Sequence, residues 1–218
     1  MDANQPGTGN AIRDPRSAIR NNLRESAFVR GNCMKRLLLI LALLLAASGC
    51  ASWEVIGPEN TRLKEDGFEV DLPAGWVRAM FERDQIILTH EGLPLQQIMV
   101  RSRPNKKAFP KLKKPADDKL LPSELAEMQV AETKRTGQVE SNLEVLENEP
   151  ATIAGRLGFK VRLRFVTPRG LPMEQLLYGF CDDKHYYLLG LQAPGLYYFD
   201  AHRGEFERMV ASFKLAQS

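Results

Sequence analysis

The sequence predicts an α+β fold, an antiparallel β-sheet flanked by helices. Two observations carry that prediction. Short stretches of strict apolar/polar alternation dominate the second half, most cleanly "LGFKVRLRFVT" (157–167), where Leu157, Phe159, Val161, Leu163 and Phe165 alternate with Lys160, Arg162 and Arg164. Two stretches of helical period, 122–137 and 197–215, stand apart from these strands rather than alternating with them one for one. Strands in runs with segregated helices favour antiparallel pairing over a parallel βαβ sheet.

Taken in order, "FEVDLPAGW" (68–76) sets Phe68, Val70 and Leu72 against Glu69 and Asp71, a half-buried strand stopped by Pro73 and Gly75. Ile86–Thr89 and Leu95–Arg101 form a hairpin around a Gly-Leu-Pro turn at 92–94. "RPNKKAFPKLKKPADDK" (103–119) is a Pro-punctuated basic loop. The helix that follows has Pro122 and Ser123 at its start, with Glu124 and Glu127 early and Lys134 and Arg135 late, which suits the helix dipole. Gly137 stops it, and Leu121, Leu125 and Met128 mark a narrow apolar face, so it is expected on a surface. "LEVLENEPATIAG" leads into the alternating strand, "PRGLP" turns it, and "MEQLLYGFCDD" and "KHYYLLGLQAP" complete three consecutive antiparallel strands. The last helix puts Phe199, Phe206, Met209, Val210 and Phe213 on one face, despite an interior Gly204 that costs about 1 kcal/mol relative to Ala.

"FEVDLPAGW" and "FERMVASFK" (206–214), with a hairpin, a helix and a strand meander between them, resemble the terminal signatures of the PsbP-like fold, shared with Mog-type Ran-binding proteins and some small bacterial lipoproteins. The resemblance covers about residues 68–214 and implies an α/β/α sandwich. Members of that fold mostly act as binding or assembly factors, and no functional residue carries over, because fold alone does not fix function.

The N-terminal part decides the compartment. Residues 1–33 are polar and without apolar period, a doubtful extension consistent with translation starting at Met34. Residues 34–49 read as a signal peptide: Lys35 and Arg36, then an apolar run from Leu37 to Ala47, then small residues. As a helix that run is roughly 17 Å long, too short for a bilayer core of about 30 Å. Ala47-Ser48-Gly49-Cys50 resembles the lipobox of bacterial lipoproteins, which implies cleavage before Cys50 and lipid on its sulfur and amine. Position 47 departs from the commoner Leu. An ordinary secretory signal with a coincidental Cys is the alternative. Ala51 after the Cys resembles outer-membrane sorting, so the expected location is the periplasmic face of the outer membrane. Residues 50–66 then read as a tether and 67–218 as one globular domain.

This division changes the charge balance. The whole chain carries 30 Lys/Arg and 27 Asp/Glu, but 7 and 3 of these precede Cys50, leaving 23 and 24. A nucleic-acid partner therefore lacks electrostatic support. Of three cysteines only Cys181 stays in the globular part as a free thiol, so no intramolecular disulfide is expected there.

Candidate chemistry is sparse. His90, His185 and His202 show no metal-ligand spacing, so no metal site or cofactor is expected. Cys181, Asp182, Asp183 and His185 gather a thiol, two carboxylates and an imidazole, which would suit a periplasmic enzyme; the same residues also read as a hairpin turn after a buried Cys. Arg101, Arg103, Lys106, Lys107, Lys111, Lys113 and Lys114 form the most evident surface feature, suited to anionic headgroups or an acidic envelope protein, or simply to solvent. The leading expectation is a lipid-anchored, non-catalytic binding or assembly-accessory protein. The alternatives are the enzyme and a small-ligand carrier with a cleft beside the sheet.

Overall fold

A computed structural model describes residues 53–65, 67–80, 85–137, 139 and 141–216. The segments read as extension and signal peptide, and Cys50 itself, lie outside them. The described chain forms eleven strands: β1 (Trp53–Val55), β2 (Arg62–Glu65), β3 (Phe68–Asp71), β4 (Val77–Ala79), β5 (Gln85–Thr89), β6 (Gln97–Pro104), β7 (Ser141–Ile153), β8 (Arg156–Val166), β9 (Pro172–Cys181), β10 (His185–Pro194) and β11 (Lys214–Leu215). Two α-helices, α1 (Pro122–Lys134) and α2 (Tyr198–Ser212), accompany them. No described helix is long and apolar enough to cross a membrane.

Eight strands make one antiparallel sheet in the order β1-β4-β5-β6-β10-β9-β8-β7, and β11-β3-β2 make a smaller second sheet. The α+β expectation therefore holds: an antiparallel sheet with a helix on each side. One face packs against α2 and the small sheet through Phe68, Val70, Trp76, Ile98, Leu176, Phe180, Phe199, Phe206 and Phe213. The other packs against α1 and the loop before it through Phe109, Leu125, Phe159, Val161, Leu177, Tyr186 and Leu188. Each large side chain moved from water in this way contributes about 1.5–3 kcal/mol.

Burial on both faces explains β9, where eight of ten residues are buried and the alternation expected of a half-exposed strand disappears. Close approach is also specific. The Phe159 ring lies opposite Gly179 in the β8–β9 register, where an added Cβ would stand 2.6 Å from the ring.

Four expectations change. The segment 50–66 is not merely a tether: it contributes β1 and β2, both short and largely exposed, which left no apolar period to read. The return strand of the first hairpin starts at Gln97, because Gly92, Pro94 and Leu95 belong to the turn. The polar stretch before 153 is a thirteen-residue strand at the sheet edge, where Pro150 removes no ladder bond that a central strand would need. Finally, α1 buries Leu125, Ala126, Gln129, Glu132 and Thr133, whereas Leu121 is exposed. Its inner face is part polar. Leu121 precedes the first turn, and the Glu124 carboxylate accepts the Leu121 N–H at 2.8 Å.

Candidate functional site

Three regions hold the chemistry. The first is the loop between β6 and α1. Phe109 is fully buried and bridges to Lys114, so the loop is anchored from within. From outside, the Glu132 carboxylate accepts the Lys111 and Leu112 N–H groups, both at 2.9 Å. Lys113 adopts the left-handed region (φ 56°), which tightens the turn. Lys106, Lys107, Lys111, Lys113 and Lys114 all emerge exposed from this ordered frame. Asn105 ties it to the neighbouring β9–β10 turn by donating to the Asp182 carbonyl at 2.9 Å.

The expected basic set divides. Arg101 lies on β6 and donates two hydrogen bonds to Gln85 Oε1, at 3.2 and 2.6 Å. Arg103 lies opposite Tyr186 in the same strand pairing. Both belong to the sheet, and only the five lysines form the loop surface.

The lysine loop lies beyond the C-terminal end of β6, five residues past the level of Trp53, the first residue of β1. Trp53 pairs with Ala79, Ala79 with Ile87, and Ile87 with Met99, so β1 runs antiparallel to β6, whose C-terminus feeds the loop. Seven lysines, with Lys119 and Lys184 included, face four aspartates, Asp117, Asp118, Asp182 and Asp183, in the two segments that build this end.

The Cys181–His185 stretch is a turn. Asp182 Oδ1 accepts the Lys184 and His185 N–H groups at 2.7 and 2.6 Å, and Oδ2 accepts the Tyr187 hydroxyl at 3.2 Å. Cys181 is buried, and burial, with the Asp182, Asp118 and Asp117 charges, pushes its thiol up to about 12. A nucleophile needs the opposite environment, a depressed pKa with access. Of the two carboxylates, Asp182 is engaged in the turn.

The second region is an open cleft of about 230 Å³ on the α1 side, between that helix and strands β5, β6, β10 and β9. Its walls carry Gln85, Gln97, Gln129, Gln175, Gln192 and Arg101. Gln129 accepts the buried Tyr186 hydroxyl at 3.0 Å and donates to Thr133 at 3.1 Å. The Oε1 of Gln175 is buried without a hydrogen-bond partner.

The third region gathers residues that sequence spacing did not connect. His90 and Glu91 lie in the β5–β6 turn, and His202 and Glu205 on the first turns of α2, over Trp76. One ligand atom each from His90, Glu91 and His202 fall within 4.8 Å of one another. His202 Nε2 is 3.7 Å from Glu91 Oε2, and its Nδ1 is 3.2 Å from Glu205 Oε2, which also accepts Trp76 Nε1–H at 3.1 Å. The turn is fixed by Thr89, whose Oγ1 donates to the Gln96 carbonyl at 2.8 Å and accepts Gly92 N–H at 3.0 Å. Burial pushes the Glu91 carboxyl up, but the Gln96 amide, His90 and His202 outweigh it and hold it below the usual glutamate range. Although the three histidines show no ligand spacing in sequence, chain topology brings His90 and His202 together, and His185 stays at the far end of the sheet.

With its two layers of helix around an antiparallel sheet, the chain has the PsbP/Mog1-like α+β fold. The solution structure of cyanobacterial PsbP from Synechocystis sp. PCC 6803 superposes with a TM-score of 0.54 at 14% identity, over 78% of this chain and 96% of that one. A variant of protein Mog1 matches with a TM-score of 0.50 at 10% identity, over 77% and 97% of the two chains. The Saccharomyces cerevisiae Ran-binding protein Mog1p gives 0.47 at 10% identity, over 75% and 94%. No family model matches the chain, and no curated protein matches it.

Proposed function

We propose that this chain is a lipid-anchored envelope protein whose α+β domain is a non-catalytic binding or assembly module, held with its lysine-bearing end toward an anionic membrane surface. The observation that carries the reading is the ordered loop between β6 and α1, which presents five exposed lysines from one end of the sheet. Cys50 precedes Trp53 by three residues, about 10 Å of extended chain, so a lipid there would hold the domain close to the membrane. Near an anionic surface each lysine contributes about 1 kcal/mol, and the attraction falls off within a Debye length. The PsbP-like resemblance adds the binding-module part, and the buried Cys181 removes the support for the alternative enzyme site.

Intact-mass measurement on the protein extracted from native membranes tests the anchor. A chain beginning at Cys50 with added lipid is expected, and a mass retaining residues 1–49 would overturn it. Amine-reactive footprinting on vesicles tests the orientation. Lys106, Lys107, Lys111, Lys113 and Lys114 should be protected on phosphatidylglycerol vesicles and released by salt; equal labelling on phosphatidylcholine vesicles would refute membrane facing.

The glutamine-walled cleft favours a second reading, a small-ligand carrier. At about 230 Å³ it lies below the usual range of roughly 300–1,000 Å³, so its cargo would be small and polar rather than a lipid. Native mass spectrometry showing no co-purifying ligand, with none bound on addition of amide- or carboxylate-bearing metabolites, would remove it.

A further inference from the structure

We propose that His90, Glu91 and His202 form a binding site for a divalent transition-metal ion, with zinc the best match to the donor set. Two imidazoles and one carboxylate are the ligands borderline ions of this class take, and three protein ligands leave a fourth position open to water or a partner's side chain. The ligand atoms already lie within 4.8 Å of one another, so convergence on one ion at roughly 2.0–2.2 Å needs only side-chain adjustment. His90 and Glu91 are each 42% exposed in their side chains, which gives the ion an entry path, whereas His202 at 12% is held from beneath.

The surroundings are built as a metal site's outer shell is. Glu205 accepts the Nδ1 side of His202, which selects the tautomer with the Nε2 lone pair facing Glu91. Trp76, fully buried, holds Glu205 through its indole N–H and stacks edgewise on both imidazoles, with ring centroids 5.0 Å from His202 and 5.9 Å from His90. Gln96 is the independent observation. It is fully buried, its Nε2 faces Glu91 and lies 3.4 Å from His202 Nε2, and its Oε1 has no partner. A buried amide with one end idle costs about 1–3 kcal/mol. Turned over, the same side chain aims its carbonyl oxygen at His202 Nε2 and Glu91, a further oxygen donor beside the ion. The site would pin the β5–β6 turn to α2, at the end of the sheet away from the lysine loop, and it stands independently of the membrane reading.

The test uses the full chain without an affinity tag, stripped with a chelator and titrated with Zn²⁺ against a chromogenic competitor. Uptake of one equivalent is expected, with a rise in the thermal midpoint and a change in Trp fluorescence. Co²⁺ in place of Zn²⁺ should give visible absorption bands of four- or five-coordinate geometry. His90→Ala and His202→Ala should each abolish the stoichiometric uptake, and Glu205→Gln should weaken it roughly 10–100-fold, as outer-shell substitutions do. His185→Ala, at the other end of the sheet, should leave it unchanged. His90 is exposed, so its variant folds even where the His202 variant does not. Uptake unaffected by His90→Ala, or no uptake above that of the variant, overturns the proposal.

Discussion

The two helices bury their faces by opposite means. Helix α2 covers the sheet with Phe199, Phe206, Met209 and Val210, an apolar stripe backed by aromatic contacts such as Tyr178–Phe206 at 6.0 Å. Helix α1 covers the other face with Leu125 and Ala126, and fills the rest with Gln129, Glu132 and Thr133. These polar groups are satisfied: Glu132 by the loop amides, Gln129 by Tyr186 and Thr133. The difference teaches that α2 is held chiefly by the hydrophobic effect, and α1 by an interlock of hydrogen bonds that also shapes the lysine loop. Burial without apolarity is costly unless every group has a partner, so α1 is the more brittle element and α2 the stronger one.

The largest effect should come from the apolar side. Phe206→Ala removes a fully buried ring and should cost about 3–5 kcal/mol in urea unfolding. A loss below about 1 kcal/mol would mean that α2 is not seated as described. On the polar side, Glu132→Ala strips two amides of their acceptor and should cost about 2 kcal/mol. Its signature is local: hydrogen exchange at Lys111 and Leu112 should accelerate more than exchange in β9. Glu132→Gln, which keeps an acceptor oxygen, should cost less. Equal losses from the two substitutions would mean that shape, and not hydrogen bonding, secures the loop.

This contrast also marks what could be read from the sequence. The α2 stripe and the alternation of β8 are apolar patterns, and both appear where expected. The α1 face was misread because Gln129 and Glu132 look like solvent positions until the partners they meet, Tyr186 and the loop amides, are known. Strand β1 is exposed throughout and β2 turns only Leu63 toward the core, too little for a period to show, and β7 is a sheet edge. The histidine cluster was invisible for a topological reason: His90 and His202 meet only because the β5–β6 turn and the start of α2 converge over Trp76. One local signal was present. His202 and Glu205 are three apart on a helix, the spacing that puts a carboxylate beside an imidazole.

The smallest effect isolates backbone from burial. Gly204 lies on the exposed side of α2, next to residues that hold His202 and Glu205, and a Cβ there would meet only Arg208 Nη1 at 3.7 Å, an ordinary contact. Nothing in that geometry calls for glycine, so Gly204→Ala should stabilise the protein by about 0.5–1 kcal/mol through helix propensity and a less flexible unfolded chain. In a chain of this size that raises the thermal midpoint by roughly 1–4 °C. The gain should be additive with the Phe206→Ala loss only in part, because the two positions sit on one helix. Should Gly204→Ala lower the midpoint instead, α2 needs freedom at its first turns, where the β5–β6 turn closes against it. The stabilisation of α2 would then depend on local adjustment around His202 as well as on its aromatic face.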